Sequence, residues 1–131
     1  MPAKRLPSIR VKRVYDPPSP DDGFRVLVDR LWPRGIKKDQ LALDLWMKDV
    51  APSDALRKWF GHDLAKWDEF QRRYREELQQ HRDKLDFLLS HALGSGLTLL
   101  FAAQDRHHNQ AVVLREVLLE RAMAGENQTG R

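Results

Sequence analysis

Alternation of hydrophobic and polar positions marks the predicted strands of this chain. Residues 9–15 alternate well enough to predict a half-exposed strand, and residues 24–28 form an apolar run typical of a strand buried on both faces. Residues 97–103 form a longer run of this kind, with glycine before it and polar residues after it. Residues 41–49 alternate with a period of two and predict a third strand, although their leucine, alanine and lysine content also suits a helix.

Helical periodicity fills the stretch between the third and last predicted strands. Ser53 suits the N-cap of a first helix, and Gly61 suits its left-handed end. Apolar side chains then recur every three or four residues over residues 64–92, with a change of phase near residues 80–81. This pattern predicts two helices or one long kinked helix. A last helix is predicted over residues 109–122.

The order of these elements predicts the fold class. Strands followed by helices, a strand and a helix indicate one α/β domain over residues 1–124, with about four mostly parallel strands and helices packed on the sheet. Residues 125–131 are predicted to be a flexible tail. The loop over residues 16–23 is too short for a parallel crossover, which needs about a dozen residues. The first two strands are therefore predicted to be antiparallel neighbours or not neighbours at all.

The composition fits one globular domain and excludes several kinds of chemistry. The 131 residues are 41% hydrophobic and 32% charged, as in a globular rather than a disordered protein. The absence of cysteine excludes disulfide bonds, thiolate zinc sites and a cysteine nucleophile. No run approaches the ~20 apolar residues of a membrane span, and the N-terminus lacks the apolar core of a signal peptide. We therefore expect a soluble cytoplasmic protein.

The net charge of +4 is unevenly distributed. The first fourteen residues contain no acidic residue and five basic ones, namely Lys4, Arg5, Arg10, Lys12 and Arg13. Together with Arg34, Lys37 and Lys38, this segment could bind nucleic acid through counterion release. The alternative, favoured by the shortness of the tract, is a solubilising end beside an edge strand protected by lysine.

Polar side chains cluster where the second and fourth predicted strands end. The second strand is followed by Asp29, Arg30, Trp32 and Arg34, and the fourth by Asp105, His108 and Asn109. If these strands are parallel and adjacent, both clusters meet at one edge of the sheet, where open α/β sheets bind ligands. Guanidinium groups and helix N-termini select anions. The sequence therefore predicts a site for a phosphate, nucleotide or carboxylate and leaves an enzymatic role open.

Six residues are predicted to bind this ligand, namely Arg30, Trp32, Arg34, Arg57, Trp59 and Asn109. Arg30 and Arg34 would hold the anion, because guanidinium forks match phosphate and carboxylate oxygens. Arg57 and Trp59, in the helix after the third strand, would close over the pocket. The bland alternatives are a core or lid position for the first tryptophan and a helix N-cap for the asparagine.

Three residues are candidates for catalysis. Asp29 or Asp105 would position groups or act as a general base, and His108 would act as an acid or base near neutral pH. The structural alternatives are a salt bridge with Arg30 for Asp29 and a turn for Asp105. No metal is predicted, because the histidines lack the spacing of a metal site. No nucleotide-binding glycine motif or serine elbow is present, so the cofactor stays unassigned.

Several ordered motifs make the chain resemble a known family. They are Val14-Tyr15-Asp16, the run from Val28 to Gly35, Trp46 with Lys48, Ala51-Pro52-Ser53, Leu56-Arg57 with Trp59-Phe60, Phe70 with Arg73-Tyr74, Glu77-Leu78, and Leu97 through Ala103 with Asp105 and His108-Asn109. Over residues 9–119 the chain is identified as a member of the YeaO-like bacterial proteins, domain of unknown function 488. The resemblance implies a compact cytoplasmic α/β domain without an established activity. Wider relatives often carry a cysteine after the last strand, and its absence here argues against thiol chemistry.

Overall fold

A computed structural model describes the backbone of residues 6–129 and the side chains of residues 6–125. It contains one sheet of four strands, β1 (Ile9–Arg13), β2 (Phe24–Leu27), β3 (Leu45–Trp46) and β4 (Leu97–Phe101), in the order β1-β4-β2-β3. All three strand pairs are parallel. The α/β class predicted from the sequence is confirmed.

The last strand in the chain lies in the middle of the sheet. All five residues of β4 are buried, because the strand pairs with β1 on one side and β2 on the other. β1 and β2 are therefore not neighbours, which was the second of the two predicted arrangements. The long helical connection to β4 permits the parallel crossover that the proline loop is too short to make.

The third strand is shorter than predicted from its alternating pattern. Only Leu45 and Trp46 pair with β2, whereas residues 41–49 were expected to form the strand. Leu41 and Leu43 instead pack, outside any strand, against a small apolar cluster on one face of the sheet. The period of two therefore reflects apolar packing of an irregular segment rather than strand pairing along its whole length.

Four α-helices are present among the described residues: α1 (Asp54–Phe60), α2 (Trp67–Leu78), α3 (Arg82–Leu93) and α4 (Gln110–Thr129). Short 3-10 turns occupy Pro20–Asp22, Lys48–Val50, Leu64–Lys66 and Gln79–His81. The last of these turns separates α2 from α3, where the hydrophobic pattern changes phase. The predicted start and end of α1 are confirmed, since Ser53 Oγ accepts a hydrogen bond from Leu56 N (3.1 Å) and Gly61 is left-handed (φ 52°).

Helix α4 continues beyond its predicted end near residue 122. The alanine and glutamate content of residues 122–126 allows the helix to continue, and the glycine at 125 does not stop it. The proposed mobility of residues 125–131 stays a prediction, and residues 130–131 lie outside the described part of the chain. The basic residues Lys4 and Arg5 also lie outside it. No helix within residues 6–129 combines the length and hydropathy needed to cross a bilayer.

The two faces of the sheet are covered differently. Alternate strand residues such as Val26, Leu99 and Phe101 face one large core that contains apolar residues of all four helices. The opposite residues, Leu27 and Leu100, pack under the irregular connection between β2 and β3. Because both faces of the sheet are covered by apolar groups, β2 and β4 are continuous apolar runs in the sequence.

A buried carboxylate anchors the amino-terminal end of β2. Asp22 accepts hydrogen bonds from Ser19 N (3.0 Å) and Lys12 Nζ (3.1 Å), and it pairs with the buried Arg25 guanidinium. Thr98 Oγ1 donates to the backbone oxygen of Asp22 (2.7 Å). These bonds tie the proline loop to β1, β2 and β4 at the edge opposite the strand ends that carry the candidate site.

Candidate functional site

The carboxyl ends of β2 and β4 open onto one cavity of about 500 Å³. We call it the strand-end cavity. Seven of the nine predicted site residues line it, namely Asp29, Arg30, Trp32, Arg34, Arg57, His108 and Asn109. The two polar clusters meet because β2 and β4 are parallel neighbours in register, with Leu27 opposite Leu100. The volume falls within the range of roughly 300–1,000 Å³ that small-molecule sites occupy.

Two predicted residues do not line the strand-end cavity. Trp59 lies elsewhere on α1, where its ring contacts the Arg73 guanidinium (4.2 Å to the ring centre) and Lys66 Nζ (5.1 Å). An α1 helix of two turns sends residues 57 and 59 in different directions, so the expectation that both close over the pocket is wrong for Trp59. Asp105 is also absent from the lining and acts on the neighbouring His108 instead.

Asp29 lines the strand-end cavity and is held in place by two elements. Its Oδ2 accepts a hydrogen bond from Ala102 N (3.0 Å), directly after β4, and its Oδ1 accepts one from Gln110 Nε2 at the start of α4. The Trp46 indole donates to its backbone oxygen (2.8 Å). Burial raises the pKa of Asp29 to about 6, although the two hydrogen bonds on its carboxylate act in the opposite direction. The pKa of this carboxyl group therefore lies in the mildly acidic range, above its ordinary value of 3.8.

Arg30 and Arg34 provide positive charge that no acidic side chain within residues 6–125 neutralises. Arg30 Nε donates to the Pro52 backbone oxygen (2.8 Å), which fixes the guanidinium against the segment before α1. Arg34 is exposed, and its backbone oxygen accepts a hydrogen bond from the Tyr15 hydroxyl (2.9 Å). Within residues 6–125, neither guanidinium forms a salt bridge. The salt bridge between Asp29 and Arg30, which was the structural alternative for these residues, is therefore not formed.

A second pair of cations enters the strand-end cavity from α1. Arg57 Nη2 and Lys58 Nζ lie 2.7 Å and 3.0 Å from the two carboxylate oxygens of Asp54. The Nε of Arg57 is buried without a hydrogen-bond partner among the described residues. A buried donor without a partner costs free energy, and with almost no accessible surface this atom is out of reach of a ligand, so only the exposed part of the Arg57 side chain can face the cavity.

His108 and Asp105 form a hydrogen-bonded pair at the start of α4. Asp105 accepts bonds from the backbone N–H groups of His107 (2.9 Å) and His108 (3.0 Å), and these bonds and the His108 side chain lower its pKa against the opposing effect of burial. His108 Nδ1 lies 2.9 Å from Asp105 Oδ2. With the carboxylate as acceptor, Nδ1 donates the hydrogen bond of this pair, and Nε2 takes no part in it.

Asn109 acts as the N-cap of α4, which was its structural alternative. Its Oδ1 accepts a hydrogen bond from Val112 N (3.1 Å), and its Nδ2 donates to the Asp105 backbone oxygen (2.9 Å). Both ends of the amide are thereby used in a buried side chain. The cap also places the positive end of the α4 dipole at the strand-end cavity.

Trp32 is fixed in the irregular connection that covers the second face of the sheet. Its indole N–H donates to the Ile36 backbone oxygen (2.6 Å), and its ring packs edge-to-face on Trp46 at 5.3 Å between centres. The ring therefore contributes apolar wall to the cavity while serving the small cluster beneath the connection.

The sequence interpretation missed several lining residues. Tyr15 follows β1 at the same edge as the other strand ends, so a parallel β1 would have indicated it. Gln110 lies next to the predicted cap and holds Asp29. His62 adopts a left-handed backbone (φ 59°), which is uncommon outside glycine and marks the turn that leads from α1 past the cavity.

The structure engages most of the basic strand in internal contacts. Lys12 and Arg10 pair with Asp22, at 3.1 Å and 3.8 Å. Arg13 donates to the backbone oxygens of Ala103 (2.9 Å) and Ala102 (3.2 Å). These contacts agree with the structural alternative for this segment, and the nucleic-acid interface with Arg34, Lys37 and Lys38 stays a prediction. No group of three or more potential metal ligands occurs in the described part of the chain.

The fold and the cavity define a single-domain protein with a parallel four-stranded α/β sheet and a pocket at its strand ends. The chain belongs to the inactive DUF488-N3 subclade, whose family model matches residues 8–130. It is 47% identical over 111 residues to the uncharacterised protein YeaO of Escherichia coli, and the match covers 85% of this chain and 96% of YeaO. The resemblance predicted from the sequence is therefore confirmed.

Two mycobacterial proteins are similar over a shorter stretch. The chain is 57% identical over 70 residues to the uncharacterised proteins Mb3100c of Mycobacterium bovis and Rv3073c of Mycobacterium tuberculosis. These matches cover 53% of this chain and 59% of each relative. No solved structure matches the chain significantly.

Proposed function

We propose that this protein binds a small anionic molecule in the strand-end cavity. The observation that carries the proposal is the pair of guanidinium groups, Arg30 and Arg34, that line the cavity without an acidic partner among the described residues. Net positive charge in a partly enclosed site attracts anions more strongly than the same charge in open water.

Two further features support an anionic ligand. Arg57 and Lys58 also line the cavity and add positive charge beside the single acidic partner, Asp54, that they share within the described residues. The start of α4 also lies at the strand-end cavity, through Asn109 and Gln110, and adds the positive end of a helix dipole.

Binding without chemical conversion is the form of the function that we propose. The family description names an inactive subclade, which favours a binding role. Asp29 has both carboxylate oxygens engaged by Ala102 and Gln110, so it is better placed to orient a ligand group than to exchange protons with a substrate. His108 lines the cavity and would face the ligand as a hydrogen-bonding group.

Thermal unfolding in the presence of inorganic phosphate, pyrophosphate, citrate and adenosine monophosphate tests this proposal at constant ionic strength. We expect at least one anion to raise the midpoint of the wild-type protein in a saturable manner. Arg34→Gln should weaken the binding of that anion by about tenfold or more, because a charge-assisted hydrogen bond contributes about 1.5–3 kcal/mol. The variant should keep its unliganded midpoint, since this guanidinium has no described partner to lose.

Arg82→Gln is the matched control. Arg82 is an exposed arginine at the start of α3 that does not line the strand-end cavity, so its loss changes net charge equally. An anion response that is absent in the wild type, or is equally weakened by both variants, would overturn the proposal.

A further inference from the structure

The strand-end cavity is lined by two chemically different kinds of group. Asp29 is partly buried where β2 ends, and burial is the main cause of its raised pKa, with no arginine contributing to that shift. Arg34 and Lys58 are exposed, and Arg30 donates to the Pro52 backbone oxygen. A carboxyl group and several cations thus line the same cavity without pairing with one another.

The size of the strand-end cavity exceeds that of a bare anion. Its volume of about 500 Å³ corresponds to roughly seventeen water molecules at ~30 Å³ each. Inorganic phosphate has five heavy atoms and would leave most of this space filled with water. The remaining lining includes Leu31, Pro33, Phe60 and Phe70, which suits an uncharged carbon framework.

Asp29 is prepared to receive a hydrogen bond from a ligand. Ala102 N and Gln110 Nε2 each occupy one lone pair of the carboxylate, and both oxygens retain another. Those two donors fix the orientation of the group before a ligand arrives. A hydroxyl group is the matching donor, because it satisfies the carboxylate without bringing a second charge into a site where burial already disfavours charge.

From a lining that combines an unpaired carboxyl group with unpaired cations, and resting on the anion-binding function proposed above, we propose that the ligand is a phosphate monoester of a hydroxyl-bearing sugar. The phosphate would bind Arg30 and Arg34, whose forked donors match its oxygens, and a sugar hydroxyl would donate to Asp29. Two sources share this chemistry, a free sugar phosphate and a nucleoside monophosphate. A base on the latter would lie toward the mouth, where the exposed side chains of Tyr15 and Leu31 line the opening.

Isothermal titration calorimetry with four probes tests the inference, namely inorganic phosphate, ribose, ribose 5-phosphate and adenosine 5′-monophosphate. Ribose 5-phosphate should bind at least about tenfold more tightly than inorganic phosphate, and ribose alone should bind much more weakly than either sugar-containing phosphate. Tighter binding of adenosine monophosphate than of ribose 5-phosphate supports the nucleotide source, and equal or weaker binding supports the free sugar phosphate.

Asp29→Asn distinguishes the contribution of the carboxyl group to binding from that of the cations. This substitution should weaken the binding of ribose 5-phosphate by about tenfold and leave the affinity for inorganic phosphate unchanged, whereas Arg34→Gln should weaken the binding of both. If Asp29→Asn does not fold, Gln110→Ala gives the same comparison, because it removes one of the bonds that orient the carboxylate. Circular dichroism and the unliganded midpoint establish folding in each case.

The possible failures are distinguishable. Equal affinities for inorganic phosphate and ribose 5-phosphate, or an Asp29→Asn variant that weakens both equally, would overturn the sugar phosphate assignment and leave anion binding intact. Stabilisation by citrate alone in the thermal unfolding panel, with no phosphate compound bound in the calorimetry, would do the same. A protein that binds none of the anions would overturn both proposals.

Discussion

The Asp29 carboxylate accepts a hydrogen bond of 3.0 Å from the backbone N–H of Ala102, across 73 positions of sequence. This bond joins the segments that leave β2 and β4 at the same edge of the sheet. The contact places a titratable group in the lining of the strand-end cavity, and Gln110 holds the same carboxylate from α4. The geometry on which the predicted composite site depended is therefore present.

Asp29 should make the stability of the protein depend on pH in a mildly acidic window. Burial raises its folded pKa from 3.8 to about 6, so between these values the folded chain binds this proton more tightly than the unfolded chain. The free energy of unfolding contributed by this group therefore falls as pH rises through the window and levels off above it, by about 3 kcal/mol at most.

Urea unfolding of the wild type and Asp29→Asn across this window measures the effect. The variant lacks the titrating group, so the difference in unfolding free energy between the two proteins isolates it from other carboxylates. A difference that stays constant from about pH 4 to about pH 7 would contradict the raised pKa.

Gly23→Ala should abolish folding or cost about 3 kcal/mol or more. Gly23 has φ of 65°, and an added Cβ would lie 2.4 Å from the Gly96 backbone oxygen. This close approach accompanies the bond from Phe24 N to Gly96 O (2.9 Å) that starts the pairing of β2 with β4. The backbone on both sides would have to separate to admit a methyl group.

Gly35→Ala is the control for backbone strain alone. Gly35 also has positive φ (79°), but an added Cβ meets nothing within 4 Å. This variant should lose only about 1–2 kcal/mol, the cost of a left-handed backbone. Circular dichroism and urea unfolding measure both losses, and equal losses in the two variants would show that the contact with Gly96 is unimportant.

Asp22→Asn should destabilise the protein by about 3–5 kcal/mol, since it leaves a buried cation without its counter-ion. The Asp22 side chain is only 1% exposed and pairs with Arg25, which is 8% exposed, and with Lys12. Burial raises the pKa of this carboxyl group, but its bonds to Ser19, Lys12 and Arg25 lower the pKa by more than burial raises it. The net pKa therefore lies below its usual value.

Asp21→Asn provides the comparison at the adjacent position. Asp21 is 78% exposed, and its carboxylate lies 4.0 Å from Arg10, so its loss should cost less than about 1 kcal/mol. Chemical denaturation at neutral pH should separate the two variants clearly. Similar midpoints for both would refute a structural role for the buried cluster.

Ser53→Ala should lower the unfolding free energy by about 1–2 kcal/mol. Ser53 Oγ accepts from Leu56 N (3.1 Å) and donates to Glu77 (2.5 Å), so it both caps α1 and ties that helix to α2. Ser90→Ala is the matched control, because Ser90 is an exposed serine whose hydroxyl bonds only within α3, to Phe87 O (2.6 Å). Urea unfolding measures the stability of both variants, and an equal loss of unfolding free energy in the control would contradict a stabilising role for the Ser53 cap.

The sequence alone determined the elements whose signals are local. Apolar runs marked β2 and β4, because a strand that is buried on both faces carries apolar side chains on each of them. Ser53, Gly61 and Asn109 marked helix ends, since caps act through side chains and dihedral angles within a few residues. The polar residues after β2 and β4 were also visible, and so was the shared family.

The tertiary structure decided what depends on distant parts of the chain. It inserted β4 between β1 and β2, reduced the third strand to Leu45 and Trp46, and directed Trp59 away from the strand-end cavity. It also gave Asp29 its raised pKa, because burial by α4 and β4 is not encoded near residue 29. Hydrophobic period and capping are local properties of a sequence, whereas strand order, burial and the convergence of charges arise only when segments far apart in the chain pack together.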